Sequence, residues 1–164
     1  MAVIKRVLSG FALSLLVSIA LAPAAVAAGP VREKLIIPTP GTIDGICDFT
    51  VVYTIAVNNE YNKNFYDASG KLVRTLTEGR LVVTFTNATK PLSSLTLNVS
   101  GPAQTVYNAD GSQTITFLGN SAIFLADQIM LSSGRVVVIA PDALSVGVVV
   151  LAAGTRHNLC TMLA

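Results

Sequence analysis

The segment Phe49-Thr50-Val51-Val52-Tyr53-Thr54-Ile55-Ala56-Val57 places a large apolar side chain at every second position. Successive side chains of a β-strand point to opposite faces, so this period of two predicts a strand with one buried face. The same alternation returns in residues 81–86, 95–99 and 114–117, with threonine at most of the outward positions. The chain is therefore built mainly from half-buried strands.

Short turn signals separate these runs. They are Glu78-Gly79, residues 87–91, Gly101-Pro102, Gly119-Asn120, Ser133-Gly134 and Pro141-Asp142. Closely spaced short strands with such turns predict an all-β fold, an antiparallel meander barrel or sandwich of about eight to ten strands. Both architectures use the same alternation, and the sequence leaves the choice between them open.

Two similar segments, residues 66–70 and 107–111, predict hairpin loops. Each begins with Tyr followed by Asp67 or Asn108, and a glycine lies three residues after that Asp or Asn, at Gly70 and Gly111. An Asx residue favours the start of a type I turn, and glycine accepts the positive φ that follows. We expect these loops to be structural.

Longer apolar runs mark the last third of the chain, at residues 123–125, 129–131, 136–139 and 146–151. Such runs predict strands covered on both faces, by a second sheet, by the N-terminal arm or by another subunit. Residues 122–131 fit either a strand or a short helix, and we favour the strand. Residues 158–164 predict a short C-terminal helical turn capped by Asn158.

The N-terminal segment has the features of a secretory signal peptide. Lys5 and Arg6 precede an apolar run over residues 7–22, and small residues follow up to Ala28. We expect cleavage near Ala28 and a secreted product, with a retained membrane anchor as the alternative. Beyond the signal peptide (1–28), the chain divides into an extended arm rich in Pro and Gly (29–46) and a single β-domain (47–164).

Charge excludes two classes of partner. The full chain has 11 basic and 9 acidic residues, and loss of Lys5 and Arg6 with the signal peptide leaves nine of each. A neutral mature chain without a basic cluster lacks the electrostatic footprint of a protein that binds nucleic acid or an anionic membrane. We therefore expect no nucleic-acid partner and no membrane association after cleavage.

The two cysteines, Cys47 and Cys160, lie near the two ends of the predicted domain. An even number of cysteines in an exported chain favours a disulfide bond. The competing interpretation is a catalytic thiol with His157 as its base, but an oxidising compartment favours the inert bond. We expect His157, the single histidine of the chain, to be an ordinary surface residue.

The sequence contains no recognisable catalytic or metal-binding motif, and we predict no catalytic residue, no metal site and no cofactor. Asp44 and Asp48 flank Cys47 and are the nearest approach to a pair of acid and base carboxylates. An extracellular hydrolase that uses them is therefore an alternative, and a disfavoured one. Turn chemistry accounts for Asp67, Asp110 and Asp142.

These observations predict a secreted, non-catalytic β-domain that acts as a binding or structural module at or outside the cell surface. Its partner would be an unidentified protein, a cell-surface component or a small apolar ligand. The main alternative is a β-barrel carrier of a small apolar molecule. Self-association through apolar C-terminal strands is a further option, and the residues for it are Val146, Val148, Val149 and Val150.

The combination of a signal peptide with several strand and turn segments resembles small exported bacterial all-β proteins. The segments are Cys47-Asp48-Phe49, residues 65–70, 107–112 and 133–138, and the late Cys160. The resemblance extends over nearly all of the mature chain and implies the fold. It carries no activity, because its motifs are strands and turns.

Overall fold

The computed structural model describes residues 29–142 and 145–164, so the predicted signal peptide (1–28) lies outside the described residues. This part of the chain forms eleven strands and one short helix. They are β1 (Val31–Lys34), β2 (Gly41–Ile43), β3 (Val51–Asn58), β4 (Tyr61–Tyr66), β5 (Leu72–Glu78), β6 (Leu81–Asn87), β7 (Lys90–Asn98), β8 (Ala103–Tyr107), β9 (Gln113–Phe124), β10 (Ile129–Ala140), β11 (Val148–Asn158) and α1 (Leu159–Leu163).

The strands form two open antiparallel sheets. The large sheet has seven strands in the order β1-β4-β5-β8-β9-β10-β11, and the small sheet has four in the order β2-β3-β6-β7. The predicted all-β antiparallel class is confirmed, and of the two architectures the sequence allowed, the sandwich is the one consistent with these open sheets. The strand number exceeds the expected eight to ten.

The extra strands come from the predicted N-terminal arm. Its β1 pairs with β4 at one edge of the large sheet, and its β2 pairs with β3 at one edge of the small sheet. The segment between β1 and β2 therefore passes from one sheet to the other. The sequence did not indicate this pairing, because the Pro and Gly residues of the arm are typical of an irregular segment. Proline is nevertheless tolerated at the edge of a sheet, where its missing N–H costs no hydrogen bond to a neighbouring strand.

The predicted alternation is confirmed in the small sheet. Val51, Val83 and Phe85 are buried in a hydrophobic cluster between the sheets. On the opposite face, the hydroxyl of Thr84 lies 2.8 Å from that of Thr96 on the neighbouring strand. Cross-strand hydroxyl pairs of this kind stabilise a solvated sheet face.

The C-terminal helix closes one end of this cluster. Leu159 and Leu163 are fully buried in it, and the Asn158 side chain accepts a hydrogen bond of 2.8 Å from the Cys160 backbone N–H, as the N-cap prediction requires. The predicted disulfide is confirmed between Cys47 and Cys160, whose Cα atoms are 5.4 Å apart. The helix is thereby held to the small sheet by packing and by a covalent bond.

Asn87 adds a buried polar attachment for the same helix. Its side-chain amide donates a 3.0 Å hydrogen bond to the carbonyl of Leu163, and its Oδ1 accepts from both the backbone and the hydroxyl of Thr89. The side chain is only 1% exposed. Since a buried amide without partners would be costly, these bonds fix both the β6–β7 turn and the end of the chain.

Two of the predicted turns are wrong. Gly119-Asn120 and Ser133-Gly134 lie inside β9 and β10, and in the large sheet Gly134 pairs with Gly119 on one side and with Gly154 on the other. We call these three residues the glycine row. Each has positive φ, at 71°, 150° and 108° for Gly119, Gly134 and Gly154. The regular pleat is therefore interrupted at one level across three strands, a device that lets a sheet bend.

The other turn predictions agree better with the structure. Both hairpin loops are confirmed, with positive φ at Gly70 and Gly111. The Ser69 hydroxyl donates a hydrogen bond to the Asp67 carboxylate and lowers the pKa of that carboxyl.

In residues 122–131, the favoured strand is confirmed at both ends of the segment. A turn joins the two strand ends and is closed by a 3.0 Å hydrogen bond from the Leu125 N–H to the Gln128 carbonyl.

The prediction that the apolar runs are covered on both faces is wrong for β11. Val148 and Val150 are 67% and 55% exposed, while Val149 between them packs on a second cluster that includes Met130 and Val136. In β10, between β9 and β11, Val136 and Val138 are buried in the same cluster, but Ile139 is 41% exposed. The apolar runs of both strands therefore have one face that is open to solvent.

The glycine row generates a stability prediction. A Cβ added to Gly134 would lie 2.1 Å from the carbonyl oxygen of Ala153, whereas a Cβ on Gly111, which also has positive φ, meets nothing within 4 Å. Gly111→Ala should cost roughly 1–2 kcal/mol of unfolding free energy through backbone strain alone. Gly134→Ala should cost more than about 3 kcal/mol, because the strands must also move apart. Urea denaturation of both variants measures the difference, and equal losses would contradict the role of the row.

Candidate functional site

A cavity of about 530 Å³ lies between the two sheets, and we call it the inter-sheet cavity. Strands of the small sheet (β2, β3 and β6) form one wall, and strands of the large sheet (β5, β8 and β9) form the other. The apolar residues of the lining are Ile37, Ile43, Ile46, Ile55, Leu81, Val83, Phe85, Val99, Ala103, Phe117, Ala122 and Phe124. This size and this apolar lining are typical of a small-molecule site.

The lining residues differ in exposure, and the difference locates the mouth of the cavity. Thr42, Asp44 and Phe124 are exposed, so they lie where the cavity meets solvent. Val83 and Phe85 are buried and belong to the main hydrophobic cluster. The cavity therefore runs from a partly polar rim into the apolar space between the sheets.

Tyr53 is an aromatic residue of the cavity wall, and its ring packs over a glycine of the neighbouring strand. Gly41 is its cross-strand partner in β2, and a Cβ at Gly41 would lie 2.3 Å from the Tyr53 ring. The ring therefore covers the Gly41 backbone and faces the cavity from a defined position. Covering an edge glycine with a cross-strand aromatic ring also protects the edge of the small sheet.

Glu60 brings a carboxyl group to the cavity from the connection between β3 and β4. Its backbone N–H donates a 3.0 Å bond to the Asn58 side chain, and its carbonyl accepts a 3.0 Å bond from the Leu35 N–H. Gly79 approaches so closely that a Cβ there would be 2.6 Å from the Glu60 Cα. The main chain of Glu60 is thus fixed by three neighbouring segments, which holds its side chain in place.

The Glu60 carboxyl is a buried acid without a counter-charge. The residue is 4% exposed, and among the described residues its carboxylate takes part in no hydrogen bond and no ion pair. Burial favours the neutral acid and raises the pKa of Glu60 above its ordinary value. A perturbed acid in a mainly apolar cavity is a candidate functional group.

A second polar group without a partner borders the same cavity. The Ser121 side chain is buried, and its Oγ has no hydrogen-bond partner among the described residues. Its neighbour Gly101 donates its N–H to the Asn120 carbonyl at 2.6 Å, and a Cβ at Gly101 would lie 2.8 Å from the Ser121 Oγ. The Ser121 hydroxyl is thus an unsatisfied polar group enclosed in the wall of the cavity.

Sequence analysis did not identify Glu60 or Ser121. Glu60 follows Asn58 and Asn59 between two strand patterns, which is the pattern of a solvated hairpin end. Ser121 follows Gly119-Asn120, where the sequence predicted a turn. Neither position carries a local signal, because their burial results from the second sheet.

The sequence-predicted alternatives do not converge on a site. Asp44 accepts a hydrogen bond from the Thr50 hydroxyl, and both Asp44 and Asp48 are exposed. His157 is exposed on β11, as expected for a surface residue, and Cys160 is occupied by the disulfide. Within residues 29–142 and 145–164, no three Asp, Glu, His or Cys side chains come together as metal ligands would.

The valines predicted to mediate self-association lie at the far edge of the large sheet. Val146, Val148 and Val150 are exposed, and Val149 points inward. Their side chains give β11 an apolar surface beside its unpaired edge, a combination that favours strand pairing between molecules. Self-association through them stays a prediction.

Comparisons of this chain with protein-family models, with curated proteins and with solved structures give no match. Among the described residues, no helix has the length and hydropathy needed to span a membrane.

Glu60 generates a prediction about stability and pH. Because its pKa is raised on folding, the folded protein holds the proton more tightly than the unfolded chain. Stability is then lost as the pH rises from the unfolded value of about 4.5 through the folded pKa. Glu60→Gln should therefore raise the unfolding free energy at pH 7, and the gain should shrink toward pH 4. Urea denaturation at the two pH values measures this, and a variant less stable than the parent at pH 7 would refute it.

Proposed function

We propose that this protein is an exported, non-catalytic binding module that holds a small, mostly apolar molecule in the inter-sheet cavity. The observation that carries the proposal is the cavity of about 530 Å³ between the sheets. Of the alternatives that the sequence left open, a carrier of a small ligand is the one that accounts for this cavity. The carrier is a sandwich, and its ligand lies between sheets instead of inside a barrel.

The composition of the cavity wall supports this assignment. The space opens to solvent at its rim, so its mainly apolar wall stays in contact with water until something occupies it. Burial of an apolar molecule there would remove both surfaces from water and add dispersion contacts. Glu60 supplies a polar group of the kind that orients a ligand in such sites.

A non-catalytic role is supported by the different surroundings of the candidate reactive groups, which are the carboxylates of Asp44, Asp48 and Glu60. Asp44 and Asp48 are both exposed, and the Asp44 carboxylate accepts from Thr50. Glu60, which lines the cavity together with Asp44, is buried instead. Paired acid and base chemistry needs two such groups at a defined distance.

Export is supported by the disulfide and by the N-terminal sequence. The bond between Cys47 and Cys160 is of the kind that persists in an oxidising compartment. Residues 1–28 carry the charge and hydropathy pattern of a signal peptide. An exported carrier would meet its ligand outside the cytoplasm.

The binding proposal predicts that a neutral apolar dye enters the cavity. N-phenyl-1-naphthylamine should bind with a fluorescence increase, and Ala103→Phe should weaken binding by about tenfold or more, because the new ring occupies part of the cavity. Titration of the dye into the purified protein measures both.

A matched control separates the cavity from the rest of the surface. Ala153→Phe makes the same change at an exposed position of β11 and should leave the dye affinity unaltered. Absence of dye binding, or equal affinity in the parent and Ala103→Phe, would overturn the binding proposal.

The export proposal predicts the mass of the protein recovered from the medium of cells that express the full chain. The mass should correspond to a chain that begins at Gly29 and lacks two hydrogens, because Cys47 and Cys160 are joined. Mass spectrometry before and after reduction measures both features. A full-length chain that stays in the membrane fraction would contradict export.

A further inference from the structure

The charged groups around the inter-sheet cavity all have one sign. Two of its lining residues are charged types, Glu60 and Asp44, and both are acids. The described lining includes no Lys, Arg or His. A cavity with carboxylates and no bases selects against anionic ligands and favours ligands that carry a positive charge.

Glu60 is the group that makes this selection strong. The residue is only 4% exposed and borders the cavity, its carboxylate oxygens keep some contact with accessible space, and no described residue neutralises them or donates a hydrogen bond to them. A carboxylate that loses most of its hydration needs a paired cation or hydrogen-bond donors to offset that loss. Lys63, three residues further along the chain in β4, is already paired with Glu78.

The charge at the polar end of a ligand decides how it interacts with this carboxylate. An ammonium group donates up to three hydrogen bonds and pairs with a carboxylate. A carboxylate ligand would instead add a like charge inside a low-dielectric space.

We propose that the ligand is an aliphatic amine, whose protonated nitrogen pairs with Glu60 while its apolar body fills the inter-sheet cavity. The inference rests on the proposed function and specifies the chemical class of its ligand. The same charges disfavour fatty acids and other apolar anions.

Three ligands of equal length test the proposal, namely octylamine, octanol and octanoate. Isothermal titration calorimetry at pH 7 should give the tightest binding for octylamine, with octanol about tenfold weaker or more and octanoate weakest. Glu60→Gln should reduce the affinity for octylamine by about tenfold and leave that for octanol within about twofold. Glu33→Gln, the same change at an exposed carboxyl outside the cavity lining, should alter neither.

A measurement on the unaltered protein provides a second test. The titratable side chains that border the cavity besides Glu60 are Asp44 from the segment after β2 and Tyr53 from β3, while β5, β6, β8 and β9 contribute none. Octylamine affinity should therefore fall as the pH is lowered through the raised pKa of Glu60, and octanol affinity should stay constant.

The outcomes separate this inference from the proposed function. If octanol binds and octylamine binds no more tightly, or if Glu60→Gln leaves octylamine binding intact, the amine assignment is overturned and the apolar cavity keeps its role. If octylamine, octanol, octanoate and the naphthylamine dye all fail to bind, both proposals fall. Octylamine binding that depends on Glu60 supports both.

Discussion

The bond between Cys47 and Cys160 is the constraint on which the arrangement of the two sheets depends. Cys47 precedes β3 of the small sheet, and Cys160 lies in α1 directly after β11 of the large sheet. The bond joins residues 113 positions apart, and closure of so long a loop contributes roughly 4 to 5 kcal/mol in the chain-entropy model. That is a large share of the stability of a domain this size. Ile46, next to Cys47, lines the inter-sheet cavity, so the covalent link and the cavity wall are contiguous.

Two polar side chains at the inter-sheet cavity lower the stability of the fold. The Ser121 hydroxyl loses its hydration on folding without gaining a partner among the described residues, and Glu60 loses most of its exposure. Apolar residues of similar volume at these two positions would make a more stable sandwich. The loop closed by the disulfide offsets part of this cost, and under the proposed function a ligand at Glu60 would offset more of it.

The sequence predicted those features that depend on local periodicity or local turn chemistry. The half-buried strands around Val51 and Phe85, the hairpin loops at Gly70 and Gly111, and the Asn158 cap follow from neighbours in the chain, and the structure confirms each. The pairing of the Pro-rich arm, the glycine row and the burial of Glu60 depend on residues distant in sequence. A glycine in mid-strand and a glycine in a turn have the same local signature, and only the partner strand distinguishes them.

The glycine row and the wall of the inter-sheet cavity differ in the room that they leave for side chains. Gly134 and Gly154 lie against opposing backbone, where no side chain of any kind has room, whereas wall positions such as Ala103 and Ala122 border the open space of the inter-sheet cavity. Substitutions in the wall are therefore compatible with the strand spacing of the large sheet, and substitutions at these two glycines are not. Under the proposed function, the chemistry of the ligand can thus change through the wall residues while the bend of the large sheet stays the same.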